Sequence, residues 1–141
     1  MGGYDLTVGN ADHDVFLNNT LSSNVVELQL QFRVSEVRSQ NNIFFNPTSG
    51  FLSGSTTGLT QTTNLTRAGA ACATCVNPTA PPDLHTVGAL ASQVVDQGTP
   101  FSCPSTWSCP AVWGAPLEGA LDASGSPRVK GTAIDLGAWE P

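Results

Sequence analysis

At 141 residues the chain is the size of about one domain, able to bury roughly two thirds of its unfolded surface. Only 11% of its residues are charged, and the net charge of −6 disfavours the phosphate-neutralising surface of a nucleic-acid binder. There is no run of 18 apolar residues to span a bilayer, and a polar, β-prone composition rich in Thr (15), Ser (13) and Asn (9) points to strands.

In chain order, Leu6 and Val8 alternate with polar residues before Gly9 to Asp14 breaks the pattern as a turn. Val15 to Leu17 predicts a short strand ended by Asn18-Asn19-Thr20. The clearest strand follows: Val26, Leu28, Leu30 and Phe32 recur at period two, with Glu27, Gln29, Gln31 and Arg33 on the opposite face. Val34 to Arg38 continues the alternation, Asn41-Asn42 predicts a corner, and Ile43 to Phe45 a further strand.

The two asparagine pairs are 23 residues apart, each beside an apolar triplet that contains an aromatic residue. That spacing suits one rung of a β-solenoid, in which asparagine accepts the left-handed corner and stacked amides hydrogen-bond from rung to rung. A β-sandwich explains the alternation equally well. Residues 47–75 are expected to form a loop excursion, its Gly/Ser/Thr-rich part from Pro47 to Gly69 holding at most one short strand around Gly58 to Leu65. Ala68 to Ala73 is long enough for one helical turn. Beyond Asp83, short strands are expected near Thr86-Val87, Gln93 to Val95 and Ala133 to Asp135, with little helix anywhere.

The last stretch carries a resemblance. D-x-x-G-x-P-R (Asp122, Gly125, Pro127, Arg128), followed by Gly131 and Asp135-Leu136-Gly137-Ala138-Trp139-Glu140, is similar to the C-terminal signature of bacterial right-handed parallel β-helix repeat proteins. That group includes surface proteins of the choice-of-anchor type. Upstream, Val76-Asn77-Pro78, Asp83-Leu84-His85 and Ser92 to Pro100 resemble the family's VNP, DFHL and SPAIDAGTP stretches in the same order, with Gln93, Leu84 and Trp139 departing from its usual residues.

The resemblance implies an all-β fold, a short right-handed parallel β-helix with an irregular Cys/Pro-rich C-terminal cap, the β-sandwich being the alternative. Residues 1–46 would form rungs, and residues 76–141 the final rungs with the last twenty lying across an exposed end. It further implies an extracellular or cell-surface protein, although no secretion signal is visible at the N-terminus.

Four cysteines, Cys72, Cys75, Cys103 and Cys109, are disulfide candidates. A zinc site is disfavoured because Cys103 and Cys109 are too widely spaced, and Pro78, Pro81 and Pro82 oppose the helix that a redox Cys72-x-x-Cys75 motif needs. Asp12 and Asp14 offer hard oxygens to calcium around His13, though a solvated turn is the plainer reading. His85 reads as a structural residue.

The outward face of Glu27, Gln29, Gln31 and Arg33, with Glu36 and Arg38 beyond, is where sugar-processing relatives place a groove; the plainer reading is a solvated face. Trp107, between Cys103 and Cys109, is the tryptophan expected to be most exposed and able to stack on a sugar ring. The expectation is a non-catalytic surface protein binding a carbohydrate or another protein, with no cofactor. The alternative is a polysaccharide lyase or glycoside hydrolase acting on an acidic polysaccharide. An N-terminal rung with unpaired strand edges also predicts a homo-oligomer formed through that end.

Overall fold

The computed structural model describes residues 4–8, 11–22, 26–30, 34–45, 50–54, 57–66, 91–105, 107 and 121–138. Within them lie ten strands: β1 (Tyr4–Val8), β2 (Ala11–Asp12), β3 (Val15–Leu17), β4 (Thr20–Ser22), β5 (Val26–Leu30), β6 (Val34–Ser35), β7 (Val37–Gln40), β8 (Ile43–Phe45), β9 (Gly50–Gly54) and β10 (Leu59–Thr62). A single helical turn, α1 (Ala91–Val94), follows.

The strands form small sheets ordered β1-β5-β9, β3-β7-β10, β2-β6 and β4-β8. All these strands pair in parallel, Tyr4 with Val26 and Val26 with Gly50, Ala11 with Val34, Val15 with Arg38 and Arg38 with Thr60, Thr20 with Ile43. Each partner therefore lies 22–24 residues further along, and three repeats, beginning at β1, β5 and β9, contribute one strand in turn to the same sheets. The fold is all-β with parallel sheets. The antiparallel pairing that a sandwich would use appears among the described residues only as an isolated bridge, Leu121 with Pro127.

The corners explain why the repeat is regular. Left-handed backbone occurs at His13, Glu36 and Gly58 (φ 59, 54 and 82°), and again at Asn18, Asn41 and Thr63 (φ 52, 56 and 49°). These are equivalent positions in successive repeats. Asparagine, histidine and glycine take this conformation at low cost, whereas Glu36 and the β-branched Thr63 do not and depend on their surroundings. Inter-repeat bonds supply that support: Val37 N donates to Gly58 O (2.9 Å), His13 N to Ser35 O (3.0 Å), Arg38 N to Asp14 O (2.9 Å) and Asn41 N to Thr62 O (3.3 Å).

Leu28, Leu30, Val37 and Phe44 form the inner core, with Phe16, Leu21, Val34 and Leu59 packed against it. A second cluster joins Ile43 and Leu65 to Val94 and Leu136, with Phe45 at its margin. Neighbouring Ile43 and Phe44 thus belong to different cores, because β8 is covered on both faces. This is why residues 43 to 45 read as a continuous apolar run rather than an alternation.

Three expectations are corrected. Pro47 to Gly69 holds more strand than expected: β10 is the one strand anticipated around Gly58 to Leu65, and β9 is a second, each extending a sheet. Its Gly/Ser/Thr composition hides the strands because register is inherited from the repeat before it. The stretch Gln93 to Val95 overlaps the helical turn α1 instead of a strand, and Ala133 to Asp135 is irregular. Both are fixed by cross-bonds, Leu136 N to Val94 O (3.1 Å) and Gly98 N to Ile134 O (2.8 Å), so neither needs a sheet partner.

The C-terminal segment also lies elsewhere than across an end of the stack. Asn18 Nδ2 donates to Asp135 O (2.9 Å), Gly137 N to Asn41 O (2.7 Å) and Ala138 N to Thr20 Oγ1 (3.1 Å), so Asp135 to Ala138 lie along the side of the repeats, with Leu136 packed with Ile43 and Leu65. Ala68 to Ala73, Thr86-Val87, His85, Trp113 and Trp139 lie outside the described residues.

Candidate functional site

Asn19, Asn42 and Asn64 form a connected column of amides among the described residues. Asn19 N and Nδ2 both donate to Asn42 Oδ1 (2.9 Å each), and Asn42 N and Nδ2 both donate to Asn64 Oδ1 (2.9 and 3.1 Å). Asn42 Nδ2 also reaches Phe16 O (2.9 Å), and Asn64 Nδ2 reaches Ser39 O (3.0 Å). Asn42 and Asn64 have no exposed surface, so the bonds between them are made without competition from water. The predicted amide bond between repeats is present, with a third member, Asn64, which stands in an Asn64-Leu65-Thr66 stretch of the Asn-x-Thr type that accepts glycans. Buried and fully used, Asn64 cannot carry a glycan. Its spacing of 22 from Asn42 was the available signal.

The residues that carry the family resemblance form a second polar group. Asp122 Oδ1 accepts from Ser124 N (2.9 Å), Ser124 Oγ (2.7 Å) and Ser126 N (2.8 Å), closing a tight loop in which Gly125 takes φ 85°. Buried Arg128 donates to Gly137 O and Leu121 O (3.3 Å each), clamping that loop to the closing segment. Asp96 and Asp135, from two separate motif stretches, meet: Asp96 N donates to Asp135 Oδ1 (2.6 Å), and Asp96 Oδ1 accepts from Ala133 N (2.7 Å).

A side chain at Gly131 would collide with the Asp96 carboxylate. The Ala133 N–H holds the Asp96 carboxyl below its ordinary value, while burial pushes Asp135 above its own, the Asp96 N–H opposing that rise. These residues therefore join segments together.

The exposed candidate is a patch at the His13/Glu36/Gly58 corner. Trp107 lies half-buried against it, its ring edge-on to His13 (centroids 5.1 Å apart) and tilted to Phe101 (6.4 Å). The Arg38 guanidinium carbon sits 5.5 Å from the Trp107 ring centroid, within cation–π range. Glu36 Oε2 accepts from both Trp107 Nε1 and Arg38 Nη2 (3.2 Å each), Arg38 Nη1 bonds Thr60 Oγ1, and His13 Nδ1 pairs with Asp12 Oδ1 (2.9 Å). Being exposed, these ion pairs contribute little stability and serve mainly to fix side-chain positions.

Of the residues singled out from sequence, Trp107 is thus brought to Glu36 and Arg38. Gln29 is corrected: it is on the face opposite Leu28 and Leu30, yet only 9% exposed, so it is neither an open groove nor a solvated ladder. Its strand is the middle of three, which encloses it between neighbours. Glu27 is placed by its backbone in β5, and Gln31 and Arg33 lie outside the described residues.

Asp12 pairs with His13, and the Asp14 carbonyl accepts from Arg38 N. Among the described residues no three His, Cys, Asp or Glu side chains converge as a metal site. Cys103 is in a disulfide, which removes it from any thiolate zinc set; Cys72, Cys75 and Cys109 lie outside the described residues. Phe101 and Thr60 were missed, because nothing in sequence places them beside residues 38 and 107. No described helix is long and apolar enough to cross a membrane. No family model, curated protein or solved structure matches the chain.

Proposed function

We propose that the chain is a segment of the right-handed parallel β-helix group, serving a non-catalytic binding or structural role in a secreted or surface protein. The constant offset of 22–24 residues, the paired left-handed corners and the amide column support the solenoid reading. A right-handed path is the rule for parallel crossovers. The Cys103 disulfide supports an oxidising compartment.

The ligand proposed is a neutral carbohydrate, held at the Trp107 patch. One observation carries this reading: Trp107 is pinned in place by His13, Glu36 and Arg38 on a rigid corner, which lowers the ordering cost of stacking a sugar on its remaining surface. The carboxylates of Asp12, paired with His13, and Glu36, paired with Arg38, disfavour an acidic sugar there. A catalytic role draws no support here, since Glu36 Oε2 already serves two donors.

Calorimetric titration with a panel of neutral oligosaccharides tests the proposal. Binding by the parent and its loss in Trp107→Ala, with the melting curve preserved, is the expected result. Equal binding by both proteins, or none by the parent, would refute it.

A further inference from the structure

We infer that Glu36 determines which sugar the Trp107 patch accepts, its Oε1 receiving a hydrogen bond from a ligand hydroxyl beside the stacked ring. This rests on the carbohydrate reading above. The two oxygens of the carboxylate are unlike. Oε2 accepts from Trp107 Nε1 and Arg38 Nη2 (3.2 Å each), which fixes the group, whereas Oε1 accepts from no donor among the described residues. The Glu36 side chain is 45% exposed, so it is open to a ligand at the edge of the tryptophan ring.

The backbone supports the same inference independently. Glu36 has φ 54°, a left-handed conformation that glutamate adopts at a cost and glycine without one, and the equivalent position of the next repeat is Gly58, φ 82°. The corner therefore does not require this side chain in order to form. Strain held at an exposed position is accounted for by what the carboxylate does there. A fixed carboxylate suits a sugar hydroxyl, since it can only accept, its bond to the hydroxyl is charge-assisted, and Arg38 and Trp107 have already ordered it. Such a site takes a neutral sugar whose hydroxyl at that place is unsubstituted, and discriminates against one that lacks it.

Fluorescence titration of the full chain with the methyl glycosides of glucose, galactose and mannose, each beside its monodeoxy analogues, tests the inference. In the parent, one deoxy analogue of the bound sugar should bind about tenfold more weakly than the sugar itself. In Glu36→Gly the two should bind alike, and the variant should melt no lower than the parent. A residue that merely positioned Trp107 would weaken both ligands equally and leave the ratio intact. Glu36→Gln, which keeps an acceptor for Trp107 Nε1 and places a donor outward, should retain binding with a smaller ratio. A tenfold ratio that persists in Glu36→Gly, a parent that disfavours no analogue, or a glycine variant that melts well below the parent overturns the inference, and the carbohydrate reading survives as long as Trp107→Ala still abolishes binding. A parent that binds none of these glycosides also overturns it, and the oligosaccharide titration above then decides whether the carbohydrate reading falls with it.

Discussion

The two left-handed corners share a backbone conformation and differ in nearly everything else. At Asn18, Asn41 and Thr63 the corner is sealed under the C-terminal segment, and the next residues, Asn19, Asn42 and Asn64, turn inward to form the amide column. At His13, Glu36 and Gly58 the corner faces solvent, and three unrelated residues occupy equivalent positions. Where burial forbids unpaired polar groups, the residue type is dictated; where water can satisfy them, it is free to vary. The second corner is accordingly where a binding patch can sit without cost to the stack.

The sharpest way to break this contrast is to remove the middle amide. Asn42→Ala removes the side-chain partner of Asn19 N and Phe16 O and leaves Asn64 Oδ1 with the residue 42 N–H but without the amide, and is expected to cost about 3–5 kcal/mol in urea unfolding. At the open corner, Gly58→Ala places a Cβ 2.7 Å from Val34 O at φ 82°, and a loss of about 1–3 kcal/mol is expected in the same measurement.

A third test concerns the seal. Burial raises Asp135 in the folded chain, so the folded state holds that proton more tightly than the unfolded chain. Its contribution is complete below the unfolded carboxylate value and declines as pH rises through the folded one. Asp96, held low by the Ala133 N–H, acts oppositely, losing its contribution as pH falls. Asp135→Asn keeps an acceptor for Asp96 N and removes the charge. Its melting temperature should match or exceed the parent's near neutral pH, and the decline on raising pH should vanish. The smallest effect on stability is expected for Trp107→Ala, within about 1 kcal/mol, since its polar contacts are exposed.

The inner half of this architecture was legible because burial constrains it. Val15 to Leu17, Ile43 to Phe45 and the Asn41-Asn42 corner are where the alternation and spacing place them. The third repeat was not legible: β9 and β10 contain Gly, Ser and Thr, and their register comes from pairing with β5 and β7 rather than from their own pattern. Nor was the route of the C-terminal segment, because a buried apolar pair such as Val94 and Leu136 does not reveal which face it covers. The Trp107 patch was half legible. Trp107, Glu36 and Arg38 stood out separately, and only folding across 71 residues unites the first two.

The bonds from Asn18 to Asp135 and from Thr20 to Ala138 span 117 and 118 positions of sequence. During translation, at about 5–20 residues per second, the early repeats leave the ribosome seconds before the residues that cover Ile43 and Leu65. A nascent chain must therefore carry an apolar strip on its flank until Val94 and Leu136 have been made, and a chain that stops short of Leu136 leaves that strip exposed to aggregation.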